Sequence, residues 1–288
     1  MTSGTPGAPP RVALATASSF PQLDAEGPLL QAALSAAGVT HEVQVWDDPA
    51  VDWEAYDLVV LRSTWDYWER RDDFVSWARS VPRLANPADV VAWNTDKTYL
   101  GRLADAGLPV VPTTYVDDVA GWEPPDEPFV VKPTVSAGAR DSAAYQGGDE
   151  AAVDHLRSLV GRGGVAMVQP YLSAVDTGGE TAVLLFDGEV SHGARKGPML
   201  VPGHGVDDTL PGRQVIRPRE PSRDELDLAH AVHETVRGWG HDLLYARVDM
   251  LPGPVLIELE VTEPSLMLAQ WPGAADRFAA AVARWARR

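Results

Sequence analysis

The sequence predicts an α/β protein whose C-terminal part turns α+β. Two observations carry that class. Over residues 11–92, apolar strand runs alternate with helical segments, the pattern of a parallel sheet with right-handed crossovers. Residues 243–263 instead read as two strands joined by Pro252-Gly253-Pro254, which is turn chemistry. A chain of 288 residues with 45% hydrophobic content is long enough for a large core and two or three subdomains.

The composition narrows the function. Asp and Glu outnumber Lys and Arg by 41 to 24, giving a formal net charge of −17. That balance argues against nucleic acid or an anionic membrane as a partner. No apolar run approaches the roughly 20 residues of a membrane span. The absence of cysteine removes disulfides, a thiol nucleophile and Cys-ligated zinc from consideration. The first ten residues, rich in Gly, Pro, Ser and Thr, predict a disordered tail rather than a signal peptide, and a cytoplasmic protein. No internal repeat is evident.

Residues 11–17 form the first predicted strand, 24–37 a helix closed by Gly38, and 41–46 and 57–63 the next strands. Ligands of such sheets bind beyond the C-terminal strand ends. Thr16, Ser18, Ser19 and Phe20 fall there after the first strand. After the third come Arg62, Ser63, Thr64, Trp65, Asp66, Tyr67 and Trp68, a cation, hydroxyls and aromatics suited to a small carboxylate-bearing substrate. The competing reading puts Trp65 and Trp68 in the core and Arg62 in a structural ion pair. No GxGxxG follows the first strand, which disfavours a nicotinamide cofactor.

Asn94 or Thr95 is expected to cap a helix running to about Ala106. Lys97 then sits in its first turn, where a cation opposes the helix dipole and calls for a nearby acid or a ligand phosphate. A strand from Phe129 delivers Lys132, followed by a small-residue loop over 134–142 containing Ser136 and Gly138. Backbone amides of such loops wrap phosphate oxygens; the alternative is a surface hairpin loop. A helix over 149–160 closes a small lid. Residues 165–172 form an apolar strand whose end, Gln169-Pro170-Tyr171-Leu172, suits an adenine edge. Glu180 opens a strand to Phe186, Asp187-Gly188 makes a hairpin turn, and the return strand ends in Arg195 and Lys196. A Gly/Pro-rich loop at 197–212 reads as a functional cover. Helices at about 222–238 and 274–287 complete the chain.

Acids sit inside the apolar runs of 243–263: Asp249 on the first strand, Glu258 and Glu260 on the second. A buried carboxylate is costly unless it is paired or holds a metal. Side chains alternate along a strand, so Glu258 and Glu260 face one way. Together with Asp249 they suit magnesium, which takes a few carboxylates and substrate phosphates. Arg247 shares the face of Asp249 and can meet a phosphate bidentately. The bland alternative is a solvated hairpin.

In order, the chain presents Lys97 before a helix ending AGLPV, then VVKP with its small-residue loop, VQPYL, GGET, RVD and ELEVT. This series resembles the ATP-grasp superfamily, near the D-alanine–D-alanine ligase and glutathione synthetase branch, over roughly residues 11–288. The resemblance implies a Rossmann-like domain at 1–92, a lid at 93–168 and a C-terminal ATP- and metal-binding domain at 169–288. It implies phosphate-binding lysines at Lys97 and Lys132, a flap at 134–142, an adenine hinge at Gln169 to Leu172 and a ribose ligand at Glu180. It further implies a phosphoryl-stabilising Arg247 and magnesium ligands Asp249 and Glu260, with manganese as a substitute. Thr262 stands where the family commonly has the third ligand, Asn, with Glu258 or Glu263 able to compensate. The implied chemistry is attack of a substrate carboxylate on the γ-phosphate of ATP, then displacement of phosphate from the acylphosphate by a nitrogen nucleophile.

Within the superfamily, STWDYW, NTDK, RKG and ELEVTEPS are most similar to the cyclo-ligases of D-cycloserine biosynthesis, which close O-ureido-D-serine. That implies Arg62, Ser63, Thr64 and Trp65 on the substrate's polar groups. Arg195 and Lys196 would meet its carboxylate, with Arg195 joining Arg247 and Lys132 as catalytic cations. An intermolecular carboxylate–amine ligase is the alternative, and a non-catalytic nucleotide-binding module a remoter one. The expected partner is a small amino-acid-like molecule, and the expected assembly a homo-oligomer.

Overall fold

The computed structural model describes residues 8–207 and 214–288. Part of the expected tail, 1–7, and part of the expected cover loop, 208–212, lie outside the described residues.

The chain builds three sheets. The first comprises β1 (Arg11–Thr16), β2 (Thr40–Val45), β3 (Leu58–Leu61) and β4 (Leu84–Ala85), all parallel in the order β2-β1-β3-β4. Helices α1 (Gly27–Ala36) and α2 (Arg71–Ser80) make the crossovers. Val12, Leu14 and Val60 bury one face of this sheet and Ala13, Ala15, Val59 and Leu61 the other, so its strands read as continuous apolar runs.

Next come α3 (Ala88–Asn94) and α4 (Tyr99–Asp105), two helices where one was expected. Asn94 does not cap: its amide donates to Leu259 O at 2.7 Å. The Thr95 hydroxyl donates back to Val91 O at 2.9 Å, closing α3. Lys97 therefore sits in the turn between the helices, its N–H on Thr134 O at 2.8 Å.

The second sheet is antiparallel, ordered β5-β8-β6-β7, from β5 (Thr114–Val116), β6 (Phe129–Pro133), β7 (Ala143–Tyr145) and β8 (Ala166–Pro170). α5 (Ala151–Gly161) covers one face through Leu156 and Leu159, packed with Phe129, Val131 and Val168. Strand alternation then turns Val130 and Lys132 to the other face, with Gln169.

The third sheet follows the short α6 (Ala174–Gly178). It comprises β9 (Glu180–Phe186), β10 (Glu189–Lys196), β11 (Ile216–Pro218), β12 (Tyr245–Leu251) and β13 (Val255–Glu260), ordered β11-β10-β9-β12-β13. Along β9, Ala182, Leu184 and Phe186 join the core of α8 (Ala274–Trp285) and α1. Val183 and Leu185 join that of α4 and α7 (Arg223–Gly238). The final helix is thus wedged between the first and third sheets. α7 starts at a capping box in which Ser222 and Glu225 satisfy each other's backbone N–H.

Candidate active site

A cavity of about 680 Å³ lies between the 134–142 flap, the loop after β3 and the third sheet. Its floor follows from the phase of β12. Ala246, Val248 and Met250 point into the α7 core. Tyr245 points the other way, onto Phe278 of α8, with ring centroids 5.9 Å apart. The next two residues on Tyr245's face are Arg247, which lines the cavity, and Asp249, fully buried beside it. The antiparallel register sets Arg247 opposite Glu260 and Asp249 opposite Glu258. Asp249, Glu258 and Glu260 each offer an oxygen within 4.8 Å of the others.

Cations surround these acids. Arg247 donates to both Asp249 oxygens, through Nε at 3.0 Å and Nη2 at 2.8 Å, and its Nη2 also reaches Glu260. Lys196 bridges Asp249 at 2.6 Å and Glu180 at 2.7 Å. Lys97 pairs with Glu258 at 3.3 Å. Burial disfavours charge on Asp249 and Glu258. Arg247 and Lys196 outweigh it at the first, Lys97 and Lys132 at the second, and both carboxyls stay below their usual range. Glu260 is pushed up to about 7 by burial, with Glu258 and Asp249 adding repulsion against the pull of Arg247. Burial lowers the Lys132 ammonium.

The flap closes on this centre. Ser136 O accepts hydrogen bonds from Lys97 Nζ at 2.8 Å and from the Tyr67 hydroxyl at 3.3 Å. The Arg140 guanidinium lies 4.8 Å from the Trp68 ring centroid. Gly138 adopts φ +67° within the flap. Val130, Gln169, Pro170, Tyr171, Leu172, Leu251 and Ile257 line another part of the cavity, a mostly apolar slot beside Glu180. Gly179 permits the close approach of Glu180 to β10: a Cβ there would stand 2.5 Å from Lys196 O.

Of the residues the sequence singles out, Lys97, Lys132, Ser136, Gly138, Gln169, Pro170, Tyr171, Leu172, Glu180, Lys196, Arg247, Glu260 and Trp65 all line this one cavity. Arg62, Ser63 and Thr64 do not. They are buried, and Arg62 donates to Pro264 O at 3.1 Å. Ser63 accepts from the Asp24 N–H at 3.1 Å. Arg62 and Ser63 fasten the loop after β3 rather than offering groups to a small molecule, and the buried Thr64 hydroxyl has no hydrogen-bond partner among the described residues.

Arg195 also departs from its expected place. β10 turns Lys196 inward and Arg195 outward, exposed and donating to Thr177 O of α6. A bulge between Val190 and His192 sets that phase. Arg195→Ala is therefore expected to keep steady-state kcat/KM within about twofold, where a substrate-facing arginine would cost tenfold or more. Thr262 is buried, and its hydroxyl donates to Asn94 Oδ1 at 3.0 Å. The third carboxylate beside Asp249 and Glu260 is Glu258, marked in the sequence by its two-residue spacing from Glu260.

Tyr67, Arg140 and Glu263 are the cavity residues that pattern reading passed over or left in a secondary role. The aromatic density of 65–68 was the available signal for the first, but not that its target is the flap.

A lid and a carboxylate-bearing sheet closing on one cation-rich cavity is the arrangement of ATP-grasp proteins. D-alanine–D-alanine ligase from Bacillus anthracis complexed with ATP superposes at a TM-score of 0.66, with 15% identity, covering 95% of this chain and 94% of that one. Closer likeness is more specific. Residues 12–86 match the family model of the N-terminal domain of D-cycloserine synthetase DcsG. The cycloserine biosynthesis protein DcsG of Streptomyces lavendulae is 36% identical over 291 residues, covering 94% of this chain and 97% of that protein. The crystal structure of D-cycloserine synthetase DcsG matches at a TM-score of 0.83 and 34% identity, over 95% of this chain and 99% of that one. The chain belongs to the D-cycloserine synthetase (DcsG) family of ATP-grasp ligases. No helix among the described residues is long and apolar enough to cross a membrane.

Proposed function

We propose that this enzyme activates the carboxylate of O-ureido-D-serine with ATP and closes it toward D-cycloserine, releasing ADP and phosphate. The observation that carries the chemistry is the Asp249–Glu258–Glu260 group set among Lys97, Lys132, Lys196 and Arg247 in one cavity. The likeness to DcsG over nearly the whole chain supports the substrate.

Three carboxylates with oxygens this close fit a hard divalent cation, magnesium or manganese, better than any soft metal. Bound there, the ion would supply charge neutralisation for the phosphates. The rest falls to the chain. The apolar slot from Val130 to Ile257 takes the adenine, and Glu180 the ribose. Lys97, Lys132 and the flap amides hold the β- and γ-phosphates. Arg247 faces the oxygens on which charge develops as the substrate carboxylate attacks the γ-phosphorus and ADP leaves. The substrate's oxygen-bound nitrogen then attacks the acyl carbon and loses its proton as phosphate departs, and hydrolysis of the bond to its carbamoyl group releases CO2 and ammonia to leave the ring N–H. Closure of the flap against Tyr67 and Trp68 keeps water from the acylphosphate. Dependence on ATP supports a cytoplasmic location.

The test is magnesium-dependent ADP release with O-ureido-D-serine, single amino acids and amino-acid pairs, with products weighed by mass spectrometry. Release with O-ureido-D-serine alone and a cyclic product is the expected result. Release only with pairs would replace ring closure by an intermolecular ligation.

A further inference from the structure

Beyond Arg247 and Glu260 the cavity continues to a wall made by Ser19, Phe20, Trp65, Glu263 and Met267. This end is built rather than incidental. Phe20 packs edge-on to Trp65, with centroids 5.0 Å apart and an interplanar angle of 82°. Trp65 Nε1 donates to Glu263 O at 2.9 Å. Three further donors fix the carbonyls around it: Tyr245 hydroxyl on Thr262 O at 2.6 Å, Arg62 on Pro264 O at 3.1 Å and Arg247 on Ser265 O at 3.2 Å. The backbone of 262–265 is thus pinned from β12 and from the loop after β3, while the Glu263 side chain remains in the cavity.

The Glu263 carboxylate stands apart from the metal group. Its own backbone N–H meets it and Lys97 attracts it, but no side chain among the described residues hydrogen-bonds or ion-pairs with it. Burial, and next the neighbouring Glu260, hold its pKa up to about 8. Such a group gains most from a cationic partner that arrives with a ligand. Aromatic rings beside it favour the same charge. On the reading above, Lys97, Lys132, Lys196, Arg247, Glu258 and Glu260 answer phosphates and metal, while Asp66 is held by Trp46 and Arg70 and Arg140 lies over Trp68, which leaves Glu263 for the substrate's own cation.

We propose that Glu263, with the Phe20 and Trp65 rings, forms the ammonium subsite by which the enzyme selects an α-amino acid over a plain carboxylic acid. This rests on the reading of the cavity given above and adds the determinant of its specificity. The arrangement sets the ammonium on Glu263 and leaves the substrate carboxylate to Arg247, whose guanidinium spans Glu260 and Ser265 O.

The experiment compares O-ureido-D-serine with 3-(ureidooxy)propanoic acid, the same molecule without its amine, in the full-length enzyme. ADP release is measured for the wild type, Glu263→Gln and Glu263→Asp. The wild type is expected to prefer the amine by 30-fold or more in kcat/KM. Glu263→Gln should bring that preference below threefold, chiefly through KM for the amine, with KM for ATP unchanged. Glu263→Asp should keep part of it. If the Gln variant fails to fold, Phe20→Leu reads the same preference from the opposite wall and should reduce it. A Gln variant that keeps the wild-type preference, or that loses both substrates equally, overturns the subsite. A wild type that uses both molecules equally well does the same while leaving the ligase reading intact. A wild type that releases ADP with no amino acid at all overturns both.

Discussion

Asp249→Asn is expected to lower kcat/KM about a thousandfold while the chain stays folded. Asp249 is fully buried and shared by three partners in different roles. It is one of the three clustered carboxylates, it takes two donors from Arg247, and through Lys196 it is tied to Glu180. The asparagine keeps the shape and one acceptor oxygen, so packing among Val248, Met250 and Ala182 is undisturbed. It removes one negative charge and turns an NH2 toward an ammonium or guanidinium. Breaking one partner of a buried ion pair costs about 3–5 kcal/mol. A transition-state donor out of place costs about 10²–10³ in rate. The first is a cost to stability that the fold absorbs, and the second, at its upper end near 4 kcal/mol, is about a thousandfold in rate.

The loss divides into parts that can be read separately. Raising the magnesium concentration restores the part due to weakened metal affinity, by mass action. It leaves the part due to a misdirected Arg247 and Lys196. Thermal denaturation reports the fold, and steady-state ADP release reports the rest. A loss below tenfold at saturating magnesium would move the metal and the reacting phosphate to another part of the cavity wall.

How much of this centre was legible depends on where each residue's phase is recorded. On β12 and β13 the apolar partners fix which residues share a face, so Arg247, Asp249, Glu258 and Glu260 could be grouped from spacing alone. β10 offers no such record. Its run of Ser191, His192, Gly193 and Ala194 has little apolar contrast, and the bulge at Val190/His192 shifts the register. Arg195 and Lys196 were therefore both plausible, and only Lys196 faces inward. Arg62, Ser63 and Thr64 occupy a strand end where ligands commonly bind. In this chain the 262–265 segment docks there, a contact roughly 200 residues away in sequence. The split between α3 and α4 has the same origin. Asn94, a good cap by type, is engaged by β13 across 165 residues.

That docking makes a second large prediction, on stability. Asn86 follows β4, the last strand of the first sheet, and is fully buried. Its amide donates to Tyr245 O at 2.9 Å and to Val261 O at 2.7 Å, and its Oδ1 accepts from the Leu244 N–H at 2.7 Å. One side chain thus joins the first sheet to the start of β12 and the exit of β13. β13 is an edge strand of its sheet, and the backbone of Pro109 to Val111 closes its free edge at Leu256 while side chains close the rest. Tyr99 satisfies both backbone groups of Leu259, and Asn94 takes the Val261 N–H. Asn86→Ala strands two carbonyls and one N–H away from water. At about 1–3 kcal/mol for each unsatisfied buried group, less what local relaxation recovers, the expected cost is roughly 3–5 kcal/mol. That corresponds to a fall in Tm on the order of 10 °C. Asn86→Asp should be worse still near neutral pH, since it sets a carboxylate oxygen against two carbonyls. Acid should narrow its gap to the alanine variant, because the protonated carboxyl regains one donor. A melting temperature for Asn86→Ala within about 2 °C of the wild type would show that water enters and satisfies these groups. The joint between the two sheets would then rest on the α1–α8 packing and on the bonds of Arg62, Trp65 and Tyr245 across it.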